Sequence, residues 1–482
     1  MGDTSDPPAA RHTRPHIVVV GGGIAGLTAA YALCRTGATG PRVTLLEASP
    51  VLGGKLRVGE VAGLPVDEGA EAILARRPEG TELARAVGLG AELVHPATAA
   101  AAVWTRGGLR PLPAGHVMGV PTDLRALTAS GVLSPGGLAR VPLDVLLPRT
   151  PVDGDVAVGR YVTARLGREV VDRLVEPLLG GVYAGRADDL SLAATVPQLA
   201  LIAQRERSLL AGARRVRATR PAHSSPVFAG IPGGVGRLAA AAAAAARAGG
   251  AQLRTGVTVR RLRRTPEGWQ LTVGPTSAPE EEAADAVVLA LPAAPAARLL
   301  AGEVPAAAAD LAGTAYASVA IVTTAWPAAA FPRPLTGSGF LVPPVDGRVV
   351  KAATYSSRKW GWLAAADPGT VVVRCSVGRV GDEADLQRDD DELVRLAAAE
   401  LSAATGVRGR PVDSRVTRWG GSLPQYAVGH LDRVARIRAA VAAVPGLAVC
   451  GAAYDGIGIP ACVASGRAAA AQVLRQPVGG GE

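Results

Sequence analysis

The sequence predicts an α/β protein in which a dinucleotide-binding domain is interleaved with a second lobe of mixed or antiparallel sheet and helices. Three observations predict it: a strand, glycine turn, helix and strand near the N-terminus; alternating apolar segments between 316 and 378; and a second glycine-rich strand–turn–helix at 446–474. At 482 residues the chain exceeds the roughly 250–300 residues at which single cores stop growing, so two or more lobes are expected. An apolar fraction of 48%, with both charge signs well spread, is that of a core-forming chain.

The opening MGDTSDPPAARHTR reads as a disordered tail, and because it holds Asp3 and Asp6 and lacks a basic n-region, no secretory signal is expected in it. IVVVGGGIAGLTAAYALC (17–34) follows, uncharged and about as long as a bilayer-spanning helix. It divides into two periods. IVVV is a β-branched run of the kind found in strands buried on both faces, whereas LTAAYALCRTG is made of helix formers and stops at Gly37. Glycines at 21, 22, 23 and 26 make a membrane helix the weaker reading. RVTLLEASP returns as a second strand closing on Glu47, which completes a βαβ unit.

Gly21-x-Gly23-x-x-Gly26 sits on the turn of that unit, where a dinucleotide fingerprint requires it. The first glycine permits the tight turn, the second lets backbone approach a pyrophosphate, and the third lets helix and strand pack closely. The helix opening at Ile24 and Ala25 offers unpaired N–H groups and partial positive charge to the phosphates. Glu47 is placed to accept from a ribose hydroxyl. An acid there repels a 2′-phosphate and so disfavours NADP, but it does not separate NAD from FAD. Gly53-Gly54-Lys55 follows the acid. It is read either as a segment folding back over the diphosphate or as an ordinary hairpin turn carrying a surface lysine.

Residues 80–225 read as mixed, with helical periodicity at 81–89 and one packed helix over 158–179, and Pro-rich loops at 111–151. An Ala-rich helix at 239–250 ends on glycine. QLRTGVTVRRLRR, GWQLTV and DAVVLALP read as strands, then YASVAIVTTAW, GFLVPP, RVVKAATY and TVVVRCSVG as an antiparallel sheet. The last segment holds a strand at 447–450, a glycine-rich turn and a helix from near Pro460; it is a simple β–turn–α connection or, as so many glycines favour, one that brings backbone close to a ligand.

The charge of +10 is almost wholly arginine, since Lys occurs only at 55, 351 and 359. That fits an anionic ligand or membrane surface, though a solvated basic exterior accounts for it as well. Aromatics make 3% of the chain, too few to stack bases, so nucleic acid is not an expected partner. Cys34, Cys375, Cys450 and Cys462 show no CxxC pairing, and the histidines at 12, 16, 95, 116 and 223 do not cluster. A reduced, cytoplasmic setting without a metal is expected. His430 reads as a structural hydrogen-bonding residue.

GGGIAGLTAAY, DEGAEAILARRPE, EPLLGGVYAGRADDLSL, GIPGGVGRL, SSRKWGW, RWGGSLPQYAVGH and CGAAYDGIGIP together resemble the FAD-dependent porphyrinogen oxidases, over residues from about 15 to the C-terminus. The resemblance is strongest to the Gram-positive type that oxidises coproporphyrinogen III. It implies a Rossmann-like FAD-binding domain at 15–90, 225–300 and 430–482, a helical, membrane-facing substrate subdomain at 91–224 and a substrate-domain sheet at 301–429, after a tail at 1–14. It implies noncovalent FAD held by Gly21, Gly22, Gly23, Ile24, Ala25 and Gly26, by Glu47 and Ala48 at the ribose, and by Gly54 and Lys55 near the diphosphate. Gly69, Ala70, Glu71 and Ala72 would form the turn beside the flavin, Val259 would meet the adenine, and Trp419, Ile457, Gly458 and Ile459 would complete the flavin end. The family often reads GPES where this chain has GAEA, which alters the hydrogen bonding of that turn.

The same resemblance implies hydride transfer to the flavin in three two-electron steps, with O2 as acceptor and peroxide as product, and no dedicated catalytic acid or base. Propionates call for guanidinium partners. By family position these are Arg77 first and Arg76 second, surface arginine being the alternative. Tyr183 would face the macrocycle or else pack as core. Lys359 and Trp360 are family markers without an assigned role. Expected partners are the porphyrinogen, molecular oxygen and other heme-pathway enzymes, with peripheral contact at the inner face of the membrane allowed. Protoporphyrinogen IX oxidase is the near alternative; an FAD amine oxidase, a carotenoid desaturase and a non-enzymatic FAD-fold binding protein are the others.

Overall fold

The computed structural model describes residues 14–475 apart from 36, 38 and 220–225; the expected tail lies, save Arg14, outside them. Five parallel strands form the first sheet, in the order Leu447–Val449, Ala286–Leu289, His16–Val20, Arg42–Glu47, Gln252–Thr255. His16–Val20 is central and buried throughout, which is why it is apolar at successive positions. Ile17 and Val19 enter one core with the helices Ile24–Cys34, Gly236–Ala248 and Ile459–Arg475. Val18 and Val20 enter another, with the antiparallel strands Val259–Thr265, Gly268–Val273 and Glu280–Ala284 and the helices Ala293–Leu300, Pro305–Ala312 and His430–Ala442. Segments far apart in sequence thus share one layer.

The second sheet has seven strands, ordered Asp413–Pro424, Tyr316–Pro327, Thr370–Val377, Val350–Tyr355, Gly339–Leu341, Ala102–Thr105, Gly108–Pro111. It is antiparallel except where Gly339–Leu341 meets Ala102–Thr105. The hairpin at 102–111 falls inside the 91–224 stretch that the resemblance implies is a helical subdomain; its four-residue strands are too short to show a period. A third core belongs to helices between 124 and 218.

Two local readings are corrected. The run 158–179 is not one helix. Gly167, at φ 93° and ψ 160°, ends Val158–Leu166 and opens a second helical run to Tyr183, which widens to a π-turn over Val171–Val175 just before Pro177. A proline inside a helix has no N–H to give, and the wider turn accommodates it. The Pro-rich 111–151 segment is not all loop either. It holds Leu124–Ser130, capped by the Asp123 carboxylate, and Pro135–Arg140, capped by Ser134 with proline in its first turn.

Candidate active site

The first glycine turn lies at the carboxyl end of the central strand. Gly21 N donates to Leu46 O at 2.8 Å, and Leu27 N donates to Gly23 O at 2.9 Å as the first bond of the helix. The N–H groups of Ile24, Ala25 and Gly26 precede that bond and have no acceptor within the helix. Gly23, the N-cap, brings no capping side chain, and the first turn holds no acid. The glycines differ in what a side chain would meet. A Cβ on Gly26 would lie 1.9 Å from Gly21 O, so this position packs helix against turn; a Cβ on Gly23 would meet no protein atom within 4 Å. The open space faces the uncapped helix end.

Glu47 closes the neighbouring strand with its carboxylate held by backbone: Oε2 accepts from Gly22 N at 2.6 Å and Oε1 from Ser49 N at 2.7 Å. Each oxygen keeps a lone pair for a hydroxyl donor. Ala48 is exposed beside it. Val257 N donates to Glu47 O at 2.9 Å, which brings the strand beginning at half-buried Val259 to the same end. Gly53 N donates to Gly22 O at 2.8 Å and Gly53 bridges Gly23, so Gly53-Gly54-Lys55 folds back against the first turn instead of standing as a separate hairpin. Lys55 is half-buried, and burial lowers its ammonium below the ordinary lysine range, with the Cys462 thiol nearby.

Gly69, Ala70, Glu71 and Ala72 are anchored from the Gly53-Gly54-Lys55 segment and from the second sheet. Ala70 N donates to Lys55 O at 3.3 Å, Arg374 Nη2 to Gly69 O at 2.6 Å, and Trp419 Nε1 to Glu68 O at 2.8 Å. The Glu71 side chain is fully engaged by protein: Arg374 Nη1 at 2.7 Å, Trp360 Nε1 at 2.7 Å, Ser356 Oγ at 3.0 Å and Lys359 Nζ at 3.5 Å. This leaves the backbone of the turn, and not the Glu71 carboxylate, for a cofactor. It also gives Lys359 and Trp360 a role, since they fasten the turn to the second sheet. Arg374 went unnoticed in the sequence. Its signal was a charge amid the apolar strand TVVVRCSV, where an internal cation demands a partner.

Burial alone would raise the Glu71 carboxyl, but the Lys359 and Arg374 charges with the Trp360 and Ser356 hydrogen bonds outweigh it and hold the group at about 2 against an ordinary 4.5. The folded state therefore takes up this proton less readily than the unfolded chain. Its contribution, about 3 kcal/mol, is complete above pH ~4.5 and lost as pH falls toward ~2. Thermal unfolding followed across that window should show the loss, and Glu71→Gln should flatten the profile there.

The C-terminal turn follows the strand Leu447–Val449 at the same, carboxyl end of the first sheet. Cys450 N donates to Leu289 O at 3.0 Å and Cys462 N to Gly458 O at 3.0 Å, where Ile459–Arg475 begins. Ile457 and Gly458 lie on the turn, half-buried and exposed, and Ile459 is buried. Tyr426 Oη donates to Ala452 O at 2.6 Å, and the His430 ring, stacked on Tyr426 at 3.8 Å, bonds Tyr454 O through Nε2 at 2.9 Å. His430 is thus a buried structural residue. Tyr183 packs in the helical core with its ring 5.6 Å from Tyr426; its carbonyl accepts from Gln425 Nε2 at 2.8 Å. Arg76 and Arg77 are exposed at the start of Pro78–Ala86, and Arg77 Nη2 pairs with Glu79 Oε1 at 2.9 Å. A Cβ on Gly80, on that helix, would lie 3.4 Å from Pro460 Cγ, so the helix that Arg77 precedes packs against the C-terminal turn. Among the described residues, no group of three His, Cys, Asp or Glu is placed to hold a metal ion, and no helix is long and apolar enough to cross a membrane. All four cysteines are free.

Comparison with known proteins shows the family. The family model described as flavin containing amine oxidoreductase matches residues 24–474. A coproporphyrinogen III oxidase of Mycobacterium tuberculosis is 39% identical over 458 residues, covering 93% of this chain and 95% of that one. The chain belongs to the coproporphyrinogen III oxidase family within the flavin-containing amine oxidoreductases. The Bacillus subtilis coproporphyrinogen III oxidase is 33% identical and spans 96% and 98% of the two chains. A crystal structure from Exiguobacterium sp. 255-15, described as "Putative protoporphyrinogen oxidase", matches with a TM-score of 0.84 at 32% identity, over 96% and 99%.

FAD is the cofactor this family implies, and the residues fit it. A Cβ on Gly23 would meet no protein atom within 4 Å, so backbone there leaves room for a diphosphate to approach the helix N–H groups, and Glu47 would accept from a hydroxyl. Bound FAD supplies the two-electron acceptor. The chain's own groups would hold and orient it: the helix end would oppose phosphate charge, the Glu71 cluster fixes the 69–72 turn, and the C-terminal turn would lie at its other end. Burial raises the Cys450 thiol above its ordinary range, so that side chain stays neutral.

Proposed function

We propose that this chain oxidises coproporphyrinogen III to coproporphyrin III in heme biosynthesis, with FAD as the immediate acceptor and molecular oxygen as the final one. The macrocycle loses six electrons and six protons, and three O2 become three H2O2. The observation that carries the reading is near full-length similarity to coproporphyrinogen III oxidases joined to a dinucleotide turn that opens onto free helix N–H groups. Aromatisation drives the loss of hydrogen, so the chain's task is to place the macrocycle and to counter its carboxylates. The purified protein should be yellow and turn colourless coproporphyrinogen III fluorescent in air with release of peroxide. Retained flavin with oxidation of an amine or a carotene, and none of a porphyrinogen, would overturn the reading. A second reading, protoporphyrinogen IX as substrate, has the Exiguobacterium structure in its favour.

Gly21 to Gly26, Glu47, Ala48, Gly54, Lys55, the 69–72 backbone, Val259, Trp419 and Ile457 to Ile459 are the residues we assign to FAD. Arg77 is assigned to the rim of the substrate site, Arg76 beside it. Arg77→Ala should raise KM for coproporphyrinogen III about five- to tenfold at nearly constant kcat, as expected for a half-exposed charge; steady-state kinetics at two ionic strengths checks this. The cytoplasm is the proposed location. Leu143, Val145 and Leu146, the last 77% exposed, lie beside Arg149 and Arg207 and are the surface we propose for peripheral membrane contact. Flotation with anionic vesicles, lost in Leu146→Glu, tests it.

A further inference from the structure

In an antiparallel pair, residues opposite each other point to the same face and their neighbours in sequence to the other. The short pair of Ile73–Leu74 with Phe228–Ala229 therefore has two faces, and they meet different surroundings. Ile73 and Ala229, opposite one another, are fully buried in the first core together with Ile231. The other face turns to the segment that follows the second-sheet strand Val350–Tyr355. Ala72 packs with Trp360 there, and a Cβ on Gly230 would fall 2.6 Å from the Trp360 ring. Leu74 and Phe228 are paired on this same face, where Leu74 is half-buried and Phe228 is 42% exposed.

The exposed ring stands on a fastened backbone. Ala75 N donates to Val227 O at 2.9 Å and Val94 N to Gly230 O at 3.0 Å, His95 Nδ1 donates to Phe228 O at 2.9 Å, and Lys359 Nζ lies 5.9 Å from the ring centroid. The chain has three phenylalanines, and the other two, Phe331 and Phe340, pack in the core of the second sheet. The position also links two parts of the site. Ile73–Leu74 follows the 69–72 turn directly, and Arg77 N donates to Leu74 O at 3.2 Å, so an open apolar face lies between the turn assigned to the flavin and the guanidinium assigned to a propionate. A porphyrinogen has the matching make-up, with apolar pyrrole rings inside and carboxylates at the periphery.

Resting on the proposed function, we infer that Phe228 is a substrate-contact residue: its ring, with Leu74, is the apolar platform on which a pyrrole of the porphyrinogen rests while Arg77 takes a neighbouring propionate. A contact of this kind is made equally before and during hydrogen transfer, so it acts on binding and not on the chemical step.

The test uses FAD-loaded full-length protein and coproporphyrin III, the oxidised product, whose fluorescence reports binding without turnover. Phe228→Ala should weaken coproporphyrin III binding and raise KM for coproporphyrinogen III about five- to tenfold, with kcat within about twofold and flavin content unchanged. Because the contact is apolar, this loss should be the same at low and high salt, whereas that of Arg77→Ala shrinks as salt rises. Phe228→Tyr, which keeps the ring, should hold affinity within about twofold of the parent. Should Phe228→Ala fail to fold, Phe228→Gln carries the same readouts. Wild-type affinity in the folded Ala or Gln variant, an equal loss in Phe228→Tyr, or a loss that only follows flavin content overturns the platform and leaves the function standing. A wild-type protein that neither binds coproporphyrin III nor oxidises coproporphyrinogen III overturns both.

Discussion

Gly23→Ala should give a folded protein without FAD. Its φ of −72° suits alanine, and the added methyl meets no protein atom within 4 Å. The cost to folding is therefore limited to a poorer N-cap, about 0.5–1 kcal/mol. The methyl does occupy the space where a diphosphate must reach the helix N–H groups. Loss of two charge-assisted bonds is worth about 3 kcal/mol or more, on the order of a hundredfold in affinity. Gly26→Ala is the contrasting variant. Its Cβ would fall 1.9 Å from Gly21 O, so the backbone must shift and folding yield should drop along with flavin. The visible flavin-to-protein absorbance ratio, read beside thermal unfolding, separates the two effects. Gly23→Ala purified with a full complement of FAD would remove the diphosphate from this turn.

Glu71→Ala should be among the most destabilising single changes in the chain. It leaves Arg374, 8% exposed, and half-buried Lys359 without their shared acid, a loss of about 3–5 kcal/mol. It also frees the 69–72 turn from the second sheet, so flavin retention should fall with stability. Replacing the buried pair together, as in Glu71→Leu with Arg374→Met, should recover part of the stability, because hydrophobic pairs replace buried ions at little cost. Denaturant unfolding of the three proteins decides the point. A Glu71→Ala protein as stable as the parent would show that the cluster does not hold the domains together.

How far the sequence could be read follows from the range of the forces involved. The first βαβ unit was legible because strand, glycine spacing, helix and terminal acid are all local, and each leaves a periodic or compositional trace. So were the long strands at 316–327 and 370–377, which span enough residues to show alternation. The hairpin at 102–111 was not, because four-residue strands gain their stability from an edge formed far away in sequence. The break at Gly167 was also hidden, since the apolar spacing continues in phase on both sides of it. Among site residues, the glycines declared themselves by spacing, whereas Glu71 was placed only by resemblance and its partners came from 356–374. Arg374 left a fainter mark, a cation inside an apolar strand. That mark says a partner is needed without saying which one. Tyr183 could not be assigned from sequence because a buried aromatic looks the same beside a ligand and in a core; here its ring packs on Tyr426.

Coproporphyrinogen III carries four propionates and protoporphyrinogen IX two, with vinyl groups in place of the others, so a site with guanidinium partners for propionate distinguishes them. The direct measurement is kcat/KM on the two substrates, followed by product fluorescence in air with one preparation of FAD-loaded protein. Coproporphyrinogen III should be preferred by about tenfold or more, the worth of one well-placed charged contact. Equal turnover of both, or a preference for protoporphyrinogen IX, would contradict the account.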